Sequence, residues 1–204
     1  MNIFKKEKYK LSYLPVLVIL AIIFTGCGKS EEAYDETTVI IDKKGGITHR
    51  IVESFDKDYY SEDELNQDIN DELTRYCSGK DEKAAKLNSL EIKDGIATAE
   101  IKFAGYADYA AFNDVDFFYG TIGEAMEKGY PTDVTLKGRG EDNETIEKYE
   151  FESLKDSMII VVSEPVAIKM PGKIAYTTAN IDIIDDDTAR MASDSVGLGY
   201  IVLK

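Results

Sequence analysis

Two runs of alternating apolar and polar residues meet at Asp94-Gly95, and this arrangement constrains the fold more than any other part of the chain. Asp-Gly readily adopts the positive φ angles of a two-residue turn whose twist matches a pair of antiparallel strands. The runs 86–93 and 96–103 therefore predict a β-hairpin. Apolar side chains share one face of the second run: Ala97, Ala99, Ile101 and Phe103. This alternation is typical of a sheet with one solvated side.

A helix is predicted from about 61 to 78. Ser61 and Glu64 form a capping box at its start, and Gly79 lies where a left-handed C-terminal cap belongs. One apolar stripe follows the helical period: Leu65, Ile69, Leu73 and Tyr76. Upstream, the runs 37–41 and 47–55 flank Gly45-Gly46, whose positive φ angles predict a second hairpin. The order so far is strand, strand, helix, strand, strand.

The second half of the chain begins with an aromatic stretch and then becomes strand-like. One or two short helices are predicted within about 106–129, because Thr121 and Glu124 form another capping box and Gly129 precedes Pro131. Further strands are predicted at 134–137, 145–151, 158–163, 166–170, 174–184 and 200–203. The expected fold class is α+β with a mainly antiparallel sheet.

The amino terminus has the layout of an export signal. Residues 5–10 carry four lysines against Glu7, and the apolar run 11–24 follows. A membrane-spanning helix needs about 20 apolar residues, so this shorter run is typical of a signal-peptide core. An uncleaved anchor helix and a plain secretory signal are the alternatives.

Phe24-Thr25-Gly26-Cys27 resembles the lipobox of bacterial lipoproteins, with Phe24 where that family usually has leucine. The resemblance implies export, cleavage before Cys27 and a diacylglycerol thioether on Cys27, with fatty acyl chains such as palmitate as the anchor. It divides the chain into a signal peptide (1–26), a lipidated cysteine with a polar tether (27–36) and a single extracytoplasmic α+β domain (37–204). The expected location is the extracytoplasmic face of the cell membrane.

The part after the leader resembles small uncharacterised lipoproteins of clostridia-type bacteria. Four stretches carry the resemblance: 59–65, 108–113, 120–125 and 171–174. The resemblance implies no particular activity, so it assigns no functional residue besides the lipid site at Cys27.

Charge limits the classes of partner. The leader holds four of the 24 basic and one of the 39 acidic residues, so the remainder has 20 basic and 38 acidic residues and a net charge of −18. Nucleic-acid binding needs clustered lysine and arginine, so no nucleic-acid partner is expected. The charge also keeps the domain soluble and away from an anionic membrane.

Few residues in the chain point to catalysis, so no catalytic, cofactor or metal residue is predicted. His49 is the only histidine, which disfavours a histidine-dependent triad and a zinc site. Cys77, the thiol left after lipidation of Cys27, is expected to be half-buried and structural. The acidic residues 182–187 and the pair Asp114 and Asp116 lack the spacing of a calcium loop, so solvated turns are favoured there.

The best candidate for recognition is the aromatic stretch 106–119. Tyrosine provides wide amphipathic contact area and is enriched where proteins dock. The candidate surface is Tyr106, Tyr109, Phe118 and Tyr119, and the alternative is that these side chains form core. The sequence therefore favours a lipid-anchored binding module whose partner is another envelope protein. A carboxylate-dependent envelope hydrolase is the alternative, and a solute-capture lipoprotein ranks third.

Overall fold

The computed structural model describes residues 36–139, 145–146 and 148–204, so the predicted leader, Cys27 and nearly all of the tether lie outside the described residues. The helices are α1 (Glu62–Cys77), α2 (Tyr106–Asn113), α3 (Ile122–Glu127) and a 3₁₀ helix (Lys148–Leu154). The strands are β1 (Thr38–Ile41), β2 (Ile47–Ser54), β3 (Ala85–Lys93), β4 (Ile96–Phe103), β5 (Phe117–Thr121), β6 (Leu136–Gly138), β7 (Thr145–Ile146), β8 (Met158–Val162), β9 (Ala167–Lys169), β10 (Ile174–Thr177), β11 (Ile181–Ile183), β12 (Thr188–Met191) and β13 (Gly199–Leu203). Within this part of the chain, no helix is both long and apolar enough to cross a membrane.

The strands form two sheets, which confirms the expected α+β class. The seven-stranded sheet has the order β11-β12-β9-β1-β2-β4-β3, and the six-stranded sheet has the order β5-β8-β13-β10-β6-β7. Neighbouring strands are antiparallel except β1 and β9, which pair in parallel. This parallel pair joins the first strand to the carboxyl-terminal half of the chain, and no local sequence pattern predicted it.

The hairpin at Asp94-Gly95 forms as predicted. Asp94 has a φ of 52° and Gly95 a φ of 76°, and strands β3 and β4 pair in antiparallel register on either side. Ala97, Ala99, Ile101 and Phe103 of β4 are buried, whereas Glu100 and Lys102 point to the other face. α1 packs against β3 through Leu65, Ile69 and Leu73, with the Ser61 hydroxyl accepting from the Glu64 N–H.

The six-stranded sheet is buried on both faces because two core clusters lie on either side of it. On β8, Ile160 and Val162 join the cluster shared with the seven-stranded sheet. Ile159 and Val161 point the other way, into a smaller cluster. α3 and the 3₁₀ helix cover that second face, which explains why the run 158–162 is uninterruptedly apolar.

Several sequence expectations need correction. The predicted strand 145–151 is only β7 before the 3₁₀ helix begins. The run 174–184 is two strands, because the Thr178 carbonyl accepts from the Ile181 N–H and turns the chain. In the first hairpin loop only Gly45 has a positive φ. Strands β5 and β12 were not predicted.

Candidate functional site

The structure divides the predicted aromatic surface into core and surface residues. Tyr109 is 0% exposed and Phe118 is 1% exposed, so neither ring can touch a partner in this fold. This corrects their assignment to a contact surface. Tyr106 and Tyr119 are half-buried and retain solvent-facing area.

Strand geometry explains why Phe118 is core. Neighbouring residues on β5 point to opposite faces of the sheet, so Phe117 enters the larger cluster and Phe118 the smaller one. Tyr109 fills the larger cluster between the rings of His49 and Phe117, at centroid distances of 5.2 Å and 4.9 Å. Core packing was the alternative that the sequence left open for these side chains, and the structure confirms it for Tyr109 and Phe118.

An open groove of about 550 Å³ lies beside α2 and the end of α3. We call it the aromatic groove, and its lining includes Tyr106, Asp116, Phe117, Lys128, Tyr130 and Leu198. Phe118 supports two of these residues from within the core: its ring lies 4.9 Å from that of Tyr106 and 5.4 Å from that of Tyr130. Because both tyrosines pack on a buried ring, their positions are largely set before any ligand arrives.

The local sequence around α3 positions Lys128 and Tyr130. The capping box predicted at Thr121 is present: the Thr121 hydroxyl accepts from the Glu124 N–H, and the Glu124 carboxylate accepts from the Thr121 N–H. At the other end, Gly129 has a φ of 85° and its N–H donates to the Met126 carbonyl. The Tyr130 N–H donates to the Ala125 carbonyl over 3.1 Å, completing a Schellman motif that turns Tyr130 into the groove.

A pair of hydrogen bonds holds Asp116 at the start of β5. Its N–H donates to the Ser163 hydroxyl over 3.1 Å. Its carbonyl accepts from the Ser163 N–H over 3.0 Å. The Asp116 backbone is therefore tied to the end of β8, and its side chain lines the groove.

The groove carries charges of both signs around its rings. Lys128 Nζ lies 5.9 Å from the centroid of the Tyr106 ring, at the edge of cation–π range. Burial raises the pKa of Tyr130, and the nearby Asp116 carboxylate raises it further. Burial, followed by the charge of Asp133, raises the pKa of Tyr200 to about 12. Tyr200 packs in the same cluster as Tyr130.

Tyr119 lies outside the lining of the groove. Its ring approaches Gly45 in the β1–β2 loop, where a Cβ would be 3.8 Å from Tyr119 Cε1. Burial raises the pKa of Tyr119, with a smaller contribution from the Asp42 carboxylate. The predicted surface therefore contributes Tyr106 alone to the groove, whereas Tyr130 and Lys128 were not singled out as site residues.

A second group of polar residues, His49 and Glu164, contacts buried Tyr109 in the larger core. The Tyr109 hydroxyl donates to Glu164 Oε1 over 2.5 Å. Burial raises the pKa of Glu164, and this hydrogen bond partly opposes that effect. Burial lowers the pKa of His49 to about 4, so the imidazole is neutral near pH 7. His49 is 8% exposed, and within the described chain its Nδ1 has no hydrogen-bond partner.

The acidic turn and Cys77, two further candidates from the sequence, make contacts within the fold. In the acidic turn, Asp186 pairs with Arg139 and Lys173, at 2.8 Å and 2.9 Å. Among the described residues, no group of three or more His, Cys, Asp or Glu could hold a metal ion. Cys77 is half-buried as expected, and its thiol donates to the Ala85 carbonyl.

The positions of the carboxylates bear on the alternative of an envelope hydrolase. A glycoside hydrolase needs two facing carboxylates. Among the described residues, the carboxylate lining the groove is Asp116, whereas the carboxyl group with the raised pKa, Glu164, is hydrogen-bonded to buried Tyr109. Comparisons of the chain with protein-family models, with characterised proteins and with solved structures found no significant match.

Proposed function

We propose that this protein is a lipid-anchored extracytoplasmic binding module that contacts another envelope protein through the aromatic groove. One observation carries the proposal: Tyr106 and Tyr130 line a solvent-open groove while both rings rest on buried Phe118. The resemblance of residues 24–27 to a lipobox supports the anchor on Cys27.

The packing of the two tyrosines favours binding in a specific way. A side chain that is already immobilised loses less conformational entropy when a partner docks. Tyrosine combines a broad apolar face with a hydroxyl, and such residues are enriched among those that dominate binding energy. The groove therefore offers prepositioned contact area of the kind that protein interfaces use.

The anchor adds a second physical advantage. A short polar tether after Cys27 would hold the domain near the membrane and raise its effective concentration for neighbouring envelope proteins. A weak contact through the groove would then be enough to keep the groove occupied, because both proteins are confined to the same thin layer beside the membrane.

Crosslinking in intact cells tests the proposal. The native protein, a Tyr106→Ala, Tyr130→Ala double variant and a Tyr59→Ala control would be recovered at matched abundance after crosslinking. Tyr59 is 75% exposed and lies outside the groove lining, so its loss removes a surface tyrosine without touching the groove. We expect one envelope protein to be enriched with the native protein and the control, and lost with the double variant.

Thermal unfolding of all three proteins accompanies this experiment, because Tyr106 and Tyr130 also pack on the core. If the alanine variant unfolds, the double variant Tyr106→Leu, Tyr130→Leu is used in its place, because leucine keeps most of the apolar volume. Recovery of the same partner with a folded double variant would refute the groove as the contact region.

A further inference from the structure

The groove already accommodates a cation over one of its rings. Lys128 Nζ lies 5.9 Å from the Tyr106 centroid, and both residues line the groove. The face of a tyrosine ring attracts an ammonium or guanidinium group because its π-electrons are negative above the plane. The second ring, Tyr130, has no such cation among its described ring contacts.

The charges around Tyr130 favour a cation from outside. Asp116 lines the groove with it, and the Asp116 carboxylate acts electrostatically on the Tyr130 hydroxyl. The Asp116 carboxylate therefore lies at the Tyr130 end of the groove, whereas Lys128 lies over the Tyr106 end. The whole chain has a net charge of −15, so its long-range field also attracts basic partners.

We propose that the aromatic groove receives a basic peptide segment of its partner, with a lysine or arginine side chain seated against Tyr130 beside Asp116. This inference rests on the proposed function, because it specifies the chemistry of the partner that the groove binds. The ring supplies a cation–π contact and the carboxylate supplies an ion pair.

Replacement of Lys128 distinguishes a basic from an acidic partner by the direction in which the affinity changes. Its ammonium group repels an incoming cation, so replacing it with the neutral Lys128→Gln side chain should tighten binding of a basic segment. A groove that bound an acidic segment would respond in the opposite direction. Asp116→Asn should weaken binding of a basic segment, since it removes the attractive charge while keeping the side-chain shape.

The test uses the full chain purified in a neutral detergent and two fluorescent peptides, one of alternating lysine and glycine and one of alternating glutamate and glycine. Fluorescence anisotropy measures each affinity in native protein, Asp116→Asn, Lys128→Gln and Tyr130→Leu. Glu91→Gln is the matched control, because Glu91 is an exposed carboxylate on β3 in the other sheet.

We expect the lysine peptide to bind and the glutamate peptide to fail. Asp116→Asn and Tyr130→Leu should each weaken lysine-peptide binding about threefold or more, as expected for an exposed ion pair and a cation–π contact. Lys128→Gln should strengthen it about twofold or more, and Glu91→Gln should leave it unchanged. Added salt should weaken binding in every folded protein.

Three results would overturn the inference: no binding of the lysine peptide, equal binding of both peptides, or weaker lysine-peptide binding by Lys128→Gln. If crosslinking still recovers a groove-dependent partner in those cases, the binding module stands and only the basic chemistry of its partner is refuted. If the folded double tyrosine variant keeps its partner, the groove itself is refuted as the contact region.

Discussion

Acidification should destabilise this protein through its single histidine. His49 is 8% exposed on β2, and its ring packs edge-on against buried Tyr109 at 5.2 Å. Its Nδ1 has no hydrogen-bond partner within the described chain, so no acceptor there stabilises an added proton. Burial accordingly lowers the pKa of His49 from 6.5 to about 4.

The sign and size of the effect follow from linkage between protonation and folding. Below pH 6.5, His49 becomes protonated in the unfolded chain but stays neutral in the folded protein. The free energy of unfolding therefore falls. The loss grows down to about pH 4, where the folded protein binds the proton too. At about 1.36 kcal/mol for each unit between the two pKa values, the loss totals about 3 kcal/mol.

Denaturant unfolding of native protein and a His49→Leu variant isolates this contribution. Leucine fills a similar volume and cannot titrate, while the carboxylates common to both proteins cancel in the difference. Between about pH 7 and pH 4, the free energy of unfolding should shift by about 3 kcal/mol in favour of the variant. A difference that stays constant across this range would refute the reasoning.

Direct titration of the imidazole provides an independent check. The chain contains one histidine, so its ring resonance in an NMR titration is assigned without ambiguity, provided the protein is purified without a histidine tag. A midpoint near 6.5 would show that His49 is solvated in solution, contrary to the packing described here.

Three further predictions concern other buried or special positions. Burial raises the pKa of Glu164, so ionisation of this carboxyl group costs the folded protein stability as pH rises. Glu164→Gln should therefore stabilise the protein more at about pH 7 than at about pH 4. This pH dependence is opposite in direction to that of His49. Equal gains in denaturant unfolding at both pH values would contradict this. Gly129→Ala should lower the free energy of unfolding by about 1 kcal/mol, because an alanine at a φ of 85° is strained although nothing lies within 4 Å of the added Cβ. An unchanged denaturation midpoint would show that α3 can end otherwise. Cys27→Ser should abolish labelling by an alkyne analogue of palmitate in cells and release the protein from the membrane fraction, and retained label would place the lipid elsewhere.

Local chemistry accounts for what the sequence predicted well. The Asp94-Gly95 turn, the helix with its cap at Ser61 and the short helix ending at Gly129 depend on interactions between residues a few positions apart. Their signals are therefore readable in a short window of sequence. The start of α3 shows this most clearly, since both hydrogen bonds of its capping box join residues three positions apart.

Aromatic residues were harder to place, because apolar character alone does not say whether a ring is core or surface. Tyr106 and Tyr109 belong to the same short helix, yet Tyr106 lines the groove and Tyr109 is fully enclosed. The difference comes from β2 and β5, which bring His49 and Phe117 against Tyr109. His49 and Tyr109 are about 60 residues apart in the chain, so no local sequence pattern can predict their contact.

The sequence by itself determined the strong negative charge, the turns and caps, and the α+β class, whereas its export-like leader stays a prediction. Only the tertiary structure decided that β1 pairs in parallel with β9, that the six-stranded sheet is buried on both faces, and that Tyr130, Lys128 and Asp116 meet in one groove. The physical reason is the range of the interactions: caps and turns are satisfied within a few residues, whereas a core and a groove form where distant segments exclude water together.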